Sequence, residues 1–214
     1  GQQRVQGIDY AYTLHGWLKG VNQTTPDPFA DMGQDGTSGT VVAKDVLGFG
    51  LHYYDEIANG EEIWDYRPIG MQNAFARPGI ESNMLSLYNG NIAAMSVNNE
   101  GLLKLEPGRN NTVPLFYRYN YDQLNRITGM VAYEGLDATY NRWSAVELDD
   151  YKENISYDPN GNILSYKRNG SIRGTLSAMD DMKYKYLYTD QSNTIKQYDP
   201  LEPLPSDVKA LSNQ

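Results

Sequence analysis

Residues 156–170 read SYDPNGNILSYKRNG and combine a turn sequence with a strand sequence. The segment 158–162 is Asp-Pro-Asn-Gly-Asn. It favours a tight turn, because Asn-Gly supplies backbone with positive φ and Asp bonds to nearby amides. Residues 162–168, NILSYKR, follow directly with the alternation of polar and apolar side chains that is typical of a strand. The stretch therefore predicts a hairpin turn that leads into a strand.

The same spacing of residue types recurs along the chain. After Tyr157, a glycine follows four residues later and an aliphatic residue six later, at Gly161 and Ile163. Units with this spacing, or a variant of it, begin at Tyr12, Tyr88, Tyr121, Tyr157 and Tyr188. The last four of these tyrosines are separated by 33, 36 and 31 residues, a period typical of repeat architectures. We expect each unit to be a hairpin that buries its face against the next unit.

The turn of each unit requires a residue that tolerates a left-handed backbone. Asn125 takes the place of the glycine in the unit that begins at Tyr121, as expected, because asparagine adopts this conformation more readily than other residues with a side chain. The unit at Tyr88 is shorter by two residues, and the unit at Tyr188 is longer by one. The residues that we assign to this structural turn motif are Tyr12, Gly16, Tyr88, Gly90, Tyr121, Asp122, Asn125, Arg126, Tyr157, Asp158, Gly161 and Asn162.

Strand patterns dominate the second half of the chain. In the segment 151–157, alternate side chains fall on opposite faces, as in a half-buried strand. The predicted strands are 113–122, 126–133, 151–157, 162–168 and 182–190. We therefore expect a mainly β fold, in which repeated antiparallel hairpins form a curved, twisted sheet with few short helices.

The chain is expected to form one structural domain with four segments. Two helices are predicted, at 44–58 and 79–89, and both lie outside the clearest repeats. The segments are a first repeat unit (1–22), an insertion or irregular segment (23–80), a repeat sheet (81–200) and a C-terminal tail (201–214).

Composition excludes several classes of protein. The net charge is −9 and the basic residues are scattered, which argues against binding to nucleic acid or to anionic membranes. No apolar run approaches the roughly 20 residues that a membrane helix needs, so no membrane insertion is expected. The chain has no cysteine, which excludes disulfides and thiol chemistry. It has 18 tyrosines and only 4 phenylalanines, which suggests half-solvated sheet faces or a cavity with polar walls.

Four stretches resemble a known family of repeat proteins. YNYDQLNRITGM (119–130) and ISYDPNGNILSYKRNG (155–170) resemble the YD repeats of the Rhs (rearrangement hotspot) family. YTLHGWLKGVN (12–22) and LYNGNIAAM (87–95) resemble segments of Rhs-type proteins of Bacteroidetes.

The resemblance implies a structural role outside the cytoplasm. In this family, sheets of YD repeats wind into a shell with a tyrosine-lined interior, which often encloses a toxic C-terminal polypeptide or belongs to a large surface protein. The resemblance thus implies a non-catalytic structural module of a larger exported or cell-surface bacterial protein. Its partners would be the flanking repeats and an encapsulated C-terminal polypeptide. About five units are too few to close a large shell, and the ending PLPSDVKALSNQ (203–214) shows no toxin sequence, so we expect an open sheet.

Carbohydrate binding is the alternative function. Tryptophan and tyrosine rings provide flat platforms that stack on sugars, and the candidate sugar-binding residues are Trp17, Trp64 and Trp143. Alternating aromatic residues on strands more often pack against neighbouring strands, and we favour that interpretation.

An enzyme is the least favoured interpretation. The only histidines are His15 and His52, and neither lies in the sequence context of a nucleophile. A glycoside hydrolase needs two carboxylates at a set separation, which sequence does not supply. The available carboxylates are Glu61, Glu62, Asp65, Asp149, Asp150, Asp180 and Asp181. We expect them to be solvated surface groups, and we assign no catalytic residue and no cofactor.

Two short acidic motifs have the alternate spacing of calcium loops. Asp158, Asn160 and Asn162 form one, but the acidic residue that should complete it further on is missing. Asp31 and Asp35 form the other. Short motifs of this kind often match by chance. We interpret both as turns and expect no metal.

Overall fold

The protein folds almost entirely into β-structure, as the sequence predicts. The computed structural model describes residues 7–25, 28–35, 41–69, 72–79, 82–99, 114–171, 178–189, 195–198 and 209–210. The strands within these ranges are β1 (Tyr10–Tyr12), β2 (Leu18–Val21), β3 (Leu47–His52), β4 (Asp55–Ala58), β5 (Glu61–Trp64), β6 (Ala94–Asn99), β7 (Leu115–Tyr121), β8 (Ile127–Asp137), β9 (Arg142–Tyr157), β10 (Ile163–Asn169), β11 (Ala178–Lys183), β12 (Tyr186–Thr189), β13 (Ile195–Tyr198) and β14 (Lys209–Ala210). Beside them lies one 3₁₀ turn, Pro28–Ala30. None of the described helical structure is long and apolar enough to cross a membrane.

One large antiparallel sheet organises the fold. It contains nine strands in the order β1-β2-β3-β6-β7-β8-β9-β10-β11. Neighbours in the sheet are also neighbours in sequence, except where the separate hairpin β4–β5 lies between β3 and β6 along the chain. A further small sheet has the order β13-β12-β14. The prediction of a mainly β fold of antiparallel hairpins with few helices is confirmed.

The repeated turns share one hydrogen-bonding pattern. At the β9–β10 turn, the Asp158 amide donates to the Asn162 carbonyl (2.9 Å), and the Gly161 amide donates to the Asp158 carbonyl (3.0 Å). The equivalent bonds close the turn at 122–126 between β7 and β8 and the turn at 13–17 between β1 and β2. In these three turns, the fourth residue after the tyrosine that begins the unit has a positive φ: 78° at Gly16, 60° at Asn125 and 91° at Gly161. The predicted left-handed position is therefore confirmed.

The aspartate of the turn acts as a cap. Asp122 Oδ1 accepts hydrogen bonds from the amides of Leu124 (2.9 Å) and Arg126 (3.0 Å). Asp158 Oδ1 does the same for Asn160 and Asn162, at 2.9 and 2.8 Å. These amides lower the pKa of Asp158 even though burial raises it, because they stabilise the carboxylate. The Asp side chain thus satisfies backbone donors that the turn leaves unpaired.

Tyrosine hydroxyls join the units that begin at Tyr121 and Tyr157 to the unit before each of them. Tyr121 Oη donates to the Ile92 carbonyl (2.8 Å), and Tyr157 Oη donates to the Ile127 carbonyl (2.7 Å). Each acceptor is the aliphatic residue that ends the preceding unit. Two further tyrosines make the same contact: Tyr53 with Leu18 (2.8 Å) and Tyr186 with Ile163 (2.6 Å).

The turns also touch one another along one end of the sheet. The Arg126 guanidinium donates from Nη1 to the Asp158 carbonyl (3.1 Å) and lies over the Tyr157 ring, 4.5 Å from its centroid. The side-chain oxygen of Asn125 accepts hydrogen bonds from the side-chain nitrogens (Nδ2) of Asn89 (3.0 Å) and Asn91 (3.1 Å). Successive units are therefore coupled through both their strands and their turns.

Three predictions about secondary structure are wrong. Residues 44–58 form β3 and β4, because β-sheet pairing of Leu47–His52 with Ala94–Asn99 overrides their helical pattern. The predicted helix at 79–89 does not form in the part of it that the structure describes, residue 79 and residues 82–89. The predicted strand at 182–190 is divided between β11 and β12, which belong to different sheets. The unit predicted to begin at Tyr188 continues through residues 190–194, which lie outside the described residues.

The segment that sequence leaves irregular, 23–80, is part of the core. It contributes β3 to the large sheet, and its residues 74–76 pack on the sheet. The Phe75 ring lies so close to the sheet that a side chain at the position of Gly20 or Gly50 would collide with it. A Cβ atom on Gly20 would lie 2.4 Å from this ring, and one on Gly50 2.8 Å. The main hydrophobic cluster consists of Ala76, Ala94, Phe116, Val131, Tyr133 and Trp143.

We predict that Tyr121→Phe lowers the free energy of unfolding by about 1 kcal/mol, because it removes a partly buried hydrogen bond and leaves the Ile92 carbonyl without it. Urea denaturation followed by circular dichroism measures the change. Tyr140→Phe is the matched control, since the Tyr140 side chain is 79% exposed, and its effect should stay within about 0.5 kcal/mol. Equal stability of Tyr121→Phe and wild type would show that the tyrosine contact does not hold the repeat.

Candidate functional site

A cavity lies between the β4–β5 hairpin and the turn that joins β8 to β9. Its volume is about 490 Å³. Segment 72–79 crosses beside it: the Trp143 amide donates to the Arg77 carbonyl (2.8 Å), and the Arg77 amide donates to the Asn141 carbonyl (3.0 Å). The residues that line the cavity are Glu62, Trp64, Arg77, Asp137, Tyr140, Arg142, Trp143 and Ser144.

Arg77 organises one wall of this cavity. Its guanidinium lies 3.9 Å from the centroid of the Trp64 ring. It also donates from Nε to Asp55 Oδ2 (3.1 Å) and from Nη1 to Glu62 Oε1 (2.9 Å). The hydrogen bond from Arg77 lowers the pKa of Glu62, so Glu62 is ionised at neutral pH. Cation–π attraction and two charge-assisted contacts thus fix Arg77 in place.

The three tryptophans proposed as sugar platforms are all in contact with other side chains. Trp143 is 1% exposed and belongs to the hydrophobic core. Trp64 is covered by Arg77 and by Arg67, whose guanidinium lies 5.0 Å from the ring centroid. Trp17 lies against His15 and Tyr53, with ring centroids 4.9 and 5.0 Å away. Trp64 and Trp143 meet at the cavity, whereas Trp17 does not line it.

Three residues of the cavity lining carry buried N–H groups without a hydrogen-bond partner among the described residues. Trp64 Nε1, Trp143 Nε1 and Arg142 Nε are shielded from solvent and have no hydrogen-bond partner among the described residues. The exposed ring of Tyr140 stands beside them. Aromatic rings with a few convergent polar groups are typical of small-molecule sites. Sequence analysis missed Arg77, Tyr140 and Arg142, because they come from segments that share no motif.

Two carboxylates line the cavity, but their environments do not suit hydrolysis. Glycoside hydrolysis needs one carboxyl with a raised pKa to act as the acid, beside a second that is ionised. The pKa of Glu62 is lowered, and Asp137 Oδ1 accepts from the amides of Thr139 (2.9 Å) and Tyr140 (3.2 Å) as a turn cap. This arrangement favours binding over acid–base chemistry.

The remaining candidate carboxylates lie elsewhere in separate roles. Asp150 accepts from Ser171 Oγ (3.2 Å), and Asp180 pairs with Arg168 (2.7 Å). Glu61, Asp149 and Asp181 are exposed, as expected from sequence. Asp65 and Asp150 differ from that expectation, because they are only 6% and 8% exposed.

Asp65 is the first of five buried polar side chains that hydrogen bonds connect in series. Lys19 Nζ, on β2, donates to both Asp65 oxygens at 2.9 and 3.1 Å. Lys19 Nζ also lies 3.2 Å from His52 Nδ1, and His52 Nε2 lies 3.0 Å from Ser96 Oγ. Ser96 Oγ in turn donates to Thr24 Oγ1 (3.5 Å). The five side chains are between 0% and 6% exposed.

The direction of the hydrogen bonds in this series of side chains follows from the charge of Lys19. An ammonium group has no acceptor, so Lys19 donates to His52 Nδ1, and Nε2 carries the imidazole proton and donates to Ser96. Burial and the neighbouring charge of Lys19 hold the pKa of His52 well below its usual value, so the ring is neutral. A nucleophilic serine would have to donate its proton to the histidine, which is the opposite direction. These hydrogen bonds therefore do not form a nucleophilic triad, and the buried His52 ring packs against Phe116, with ring centroids 5.6 Å apart.

The two acidic motifs of the sequence have different structural roles. The Asp158 carboxylate is occupied by the amides of Asn160 and Asn162 and by the Asn162 side chain (2.8 Å), so this motif is the expected turn cap. Asp31 instead lies beside Asp9 and a further aspartate, Asp45. Sequence analysis missed both of these partners, because 22 and 14 residues separate them from Asp31.

Comparison of the chain with family models, curated proteins and solved structures finds no match in any of the three.

We predict that Lys19→Met lowers the free energy of unfolding by about 3–5 kcal/mol, because it leaves the buried Asp65 carboxylate without its counter-charge. The double variant Lys19→Met/Asp65→Asn should recover part of the loss, since no buried charge then remains. Urea denaturation of the single and double variants measures the coupling between the two residues. Strictly additive losses would contradict this pairing.

The neutral state of His52 also predicts a pH dependence. Its folded-state pKa is depressed, so the unfolded chain binds more protons below the ordinary histidine pKa of about 6.5. The contribution of His52 to stability is therefore present above pH ~6.5 and falls by up to about 1.4 kcal/mol per pH unit below it. His52→Asn should flatten the decline between pH 6.5 and 5, measured by thermal unfolding. Parallel pH profiles for the variant and wild type would contradict the assignment.

Proposed function

We propose that this chain is a non-catalytic structural module of a YD-repeat protein of the Rhs type. It adds a section of antiparallel sheet to the β-shell of a larger exported or cell-surface bacterial protein. The resemblance of the repeat sequences to that family supports the proposal. The observation that carries it is the row of tyrosine hydroxyls, each bonded to the last residue of the preceding unit.

The contacts between units indicate how such a module joins its neighbours. The unit pattern does not stop at the β9–β10 turn, because Tyr186 Oη bonds to the Ile163 carbonyl beyond it. Within the described residues, β1 and β11 are the outer strands of the sheet and each pairs with one strand only. A flanking repeat would pair with these strands and satisfy their free backbone groups.

We expect cryo-electron microscopy of the complete natural protein to show the nine-stranded sheet continuing into further hairpins beyond β1 or β11. The added hairpins should present a tyrosine that bonds to the unit before it. A complete protein in which both outer strands remain uncovered, or are covered by an unrelated domain, would overturn the shell proposal.

Carbohydrate binding in the cavity is a second candidate function. The specific observation in its favour is the grouping of Trp64, Trp143 and the exposed Tyr140 in the lining of a cavity of about 490 Å³. Sugars have apolar ring faces that stack on aromatic side chains.

A glycan array tests this second candidate. We expect binding by wild type, loss of binding in Tyr140→Ala, and retention in the control Tyr12→Ala, which removes another exposed ring that lies outside the cavity lining. Tyr140 is a better probe than Trp143, whose removal from the core would cost about 3–5 kcal/mol. An array without binding, or equal binding by Tyr140→Ala, would reject the cavity as a sugar site.

A further inference from the structure

Four charged residues line the cavity between the β4–β5 hairpin and the β8–β9 turn: Glu62, Arg77, Asp137 and Arg142. Three of them are engaged within the fold. Arg77 pairs with Glu62 (2.9 Å) and with Asp55, and the Asp137 carboxylate accepts the amides of its own turn. Arg142, by contrast, makes no side-chain hydrogen bond and no ion pair with a described residue.

Arg142 is therefore a cation that the described part of the fold does not pair. Its Nε is shielded from solvent, so the two terminal nitrogens of the guanidinium are the donors that remain for a ligand. The chain has 27 acidic and only 18 basic residues, and Arg77, Arg126 and Arg168 each pair with a carboxylate. A carboxylate supplied by a ligand would give Arg142 the same kind of partner.

A second arginine without an ion pair among the described residues lies at the same wall. Arg67 is exposed, and its guanidinium lies 5.0 Å from the centroid of the Trp64 ring, which lines the cavity. The charges of Arg77, Arg142 and Arg67 all lower the pKa of Glu62. Three guanidinium groups thus act on one carboxylate, so the surroundings of Glu62 favour negative charge.

The aromatic part of the lining adjoins this cation. Tyr140, in the β8–β9 turn, is 79% exposed and precedes Arg142 by two residues. The exposed Ser144 follows Arg142 by two residues on β9, and alternate residues of a strand share a face. The cavity therefore presents a ring for stacking, a hydroxyl for hydrogen bonding and a guanidinium for a charged group side by side.

We propose that this cavity binds an acidic sugar, with Tyr140 stacked on the sugar ring and Arg142 bonded to its carboxylate. The inference rests on the second candidate function, carbohydrate binding in the cavity, and specifies the class of sugar. A guanidinium donates two parallel hydrogen bonds to a carboxylate, which fixes the orientation of the ligand as well as its charge. The volume of about 490 Å³ lies within the range of small-molecule sites.

A glycan array printed with matched pairs of oligosaccharides tests the class of ligand. The two members of a pair have the same linkage and differ only at C6, which is a carboxylate in the uronic acid and a hydroxymethyl group in the neutral sugar. We expect the uronic acid of the best pair to bind at least about tenfold more tightly in isothermal titration calorimetry, because its hydrogen bond to Arg142 is charge-assisted. Added salt should weaken this binding.

Variants of Arg142 test the residue that reads the charge. Arg142→Gln should weaken binding of the uronic acid about tenfold and leave binding of the neutral sugar unchanged. Arg142→Lys should recover only part of the affinity, because lysine keeps the charge but lacks the planar fork. The control Arg168→Gln removes the same group from β10, outside the cavity lining, and should match wild type. Without sugar, Arg142→Gln should unfold within about 2 °C of wild type.

The outcomes separate this inference from carbohydrate binding itself. Equal binding of the two members of every pair, or equal affinity of Arg142→Gln and wild type, would overturn the acidic-sugar inference and leave the cavity as a site for neutral sugars. Tighter binding of a sulfated sugar than of the uronic acid would overturn the carboxylate assignment. No binding of any glycan would reject both the sugar site and the inference that rests on it.

Discussion

The hydrogen bond from a tyrosine hydroxyl to a backbone carbonyl of the preceding unit is the constraint on which the repeat architecture depends. Burial raises the pKa of the Tyr121 hydroxyl, which therefore keeps its proton and remains a donor. The acceptor is the carbonyl of Ile92, so the bond requires no particular side chain on the other unit. The contact can therefore repeat along the chain while most of the sequence varies. It gives four tyrosines a role that phenylalanine cannot take, because phenylalanine packs equally well but has no donor.

The turn motif and the tyrosine contact support one another. Asp122 and Asp158 satisfy the amides of their own turns and so hold the strand ends in a fixed geometry. That geometry places the Arg126 side chain against the next turn, where it bonds to a carbonyl and covers a tyrosine ring. Each unit thus orders the one beside it. This dependence on neighbours is characteristic of repeat proteins, in which no single unit buries its own face.

Aspartate has three different roles in this protein, and its surroundings decide which one it takes. In the turns it accepts hydrogen bonds from backbone amides. At Asp65 it is buried against Lys19, which is hydrogen-bonded in turn to the imidazole of His52. Asp9, Asp31 and Asp45 lie close to one another, and burial together with neighbouring carboxylates raises the pKa of Asp9. In the cavity wall the shared group is a cation: Arg77 pairs with the carboxylates of Asp55 and Glu62 and lies over the indole ring of Trp64.

The sequence alone determined the local features of this protein: the mainly β fold, the hairpin turns and the left-handed positions at Gly16, Asn125 and Gly161. These depend on residue type over a few positions, which is the range that sequence patterns report. Only the tertiary structure decided that Leu47–His52 and Asp55–Ala58 are strands, and that described residues of the segment 23–80 supply part of the core and of the cavity wall. It also brought Asp9 to Asp31 and Lys19 to Asp65. Such contacts arise where separate segments pack together, and no spacing within one segment encodes them.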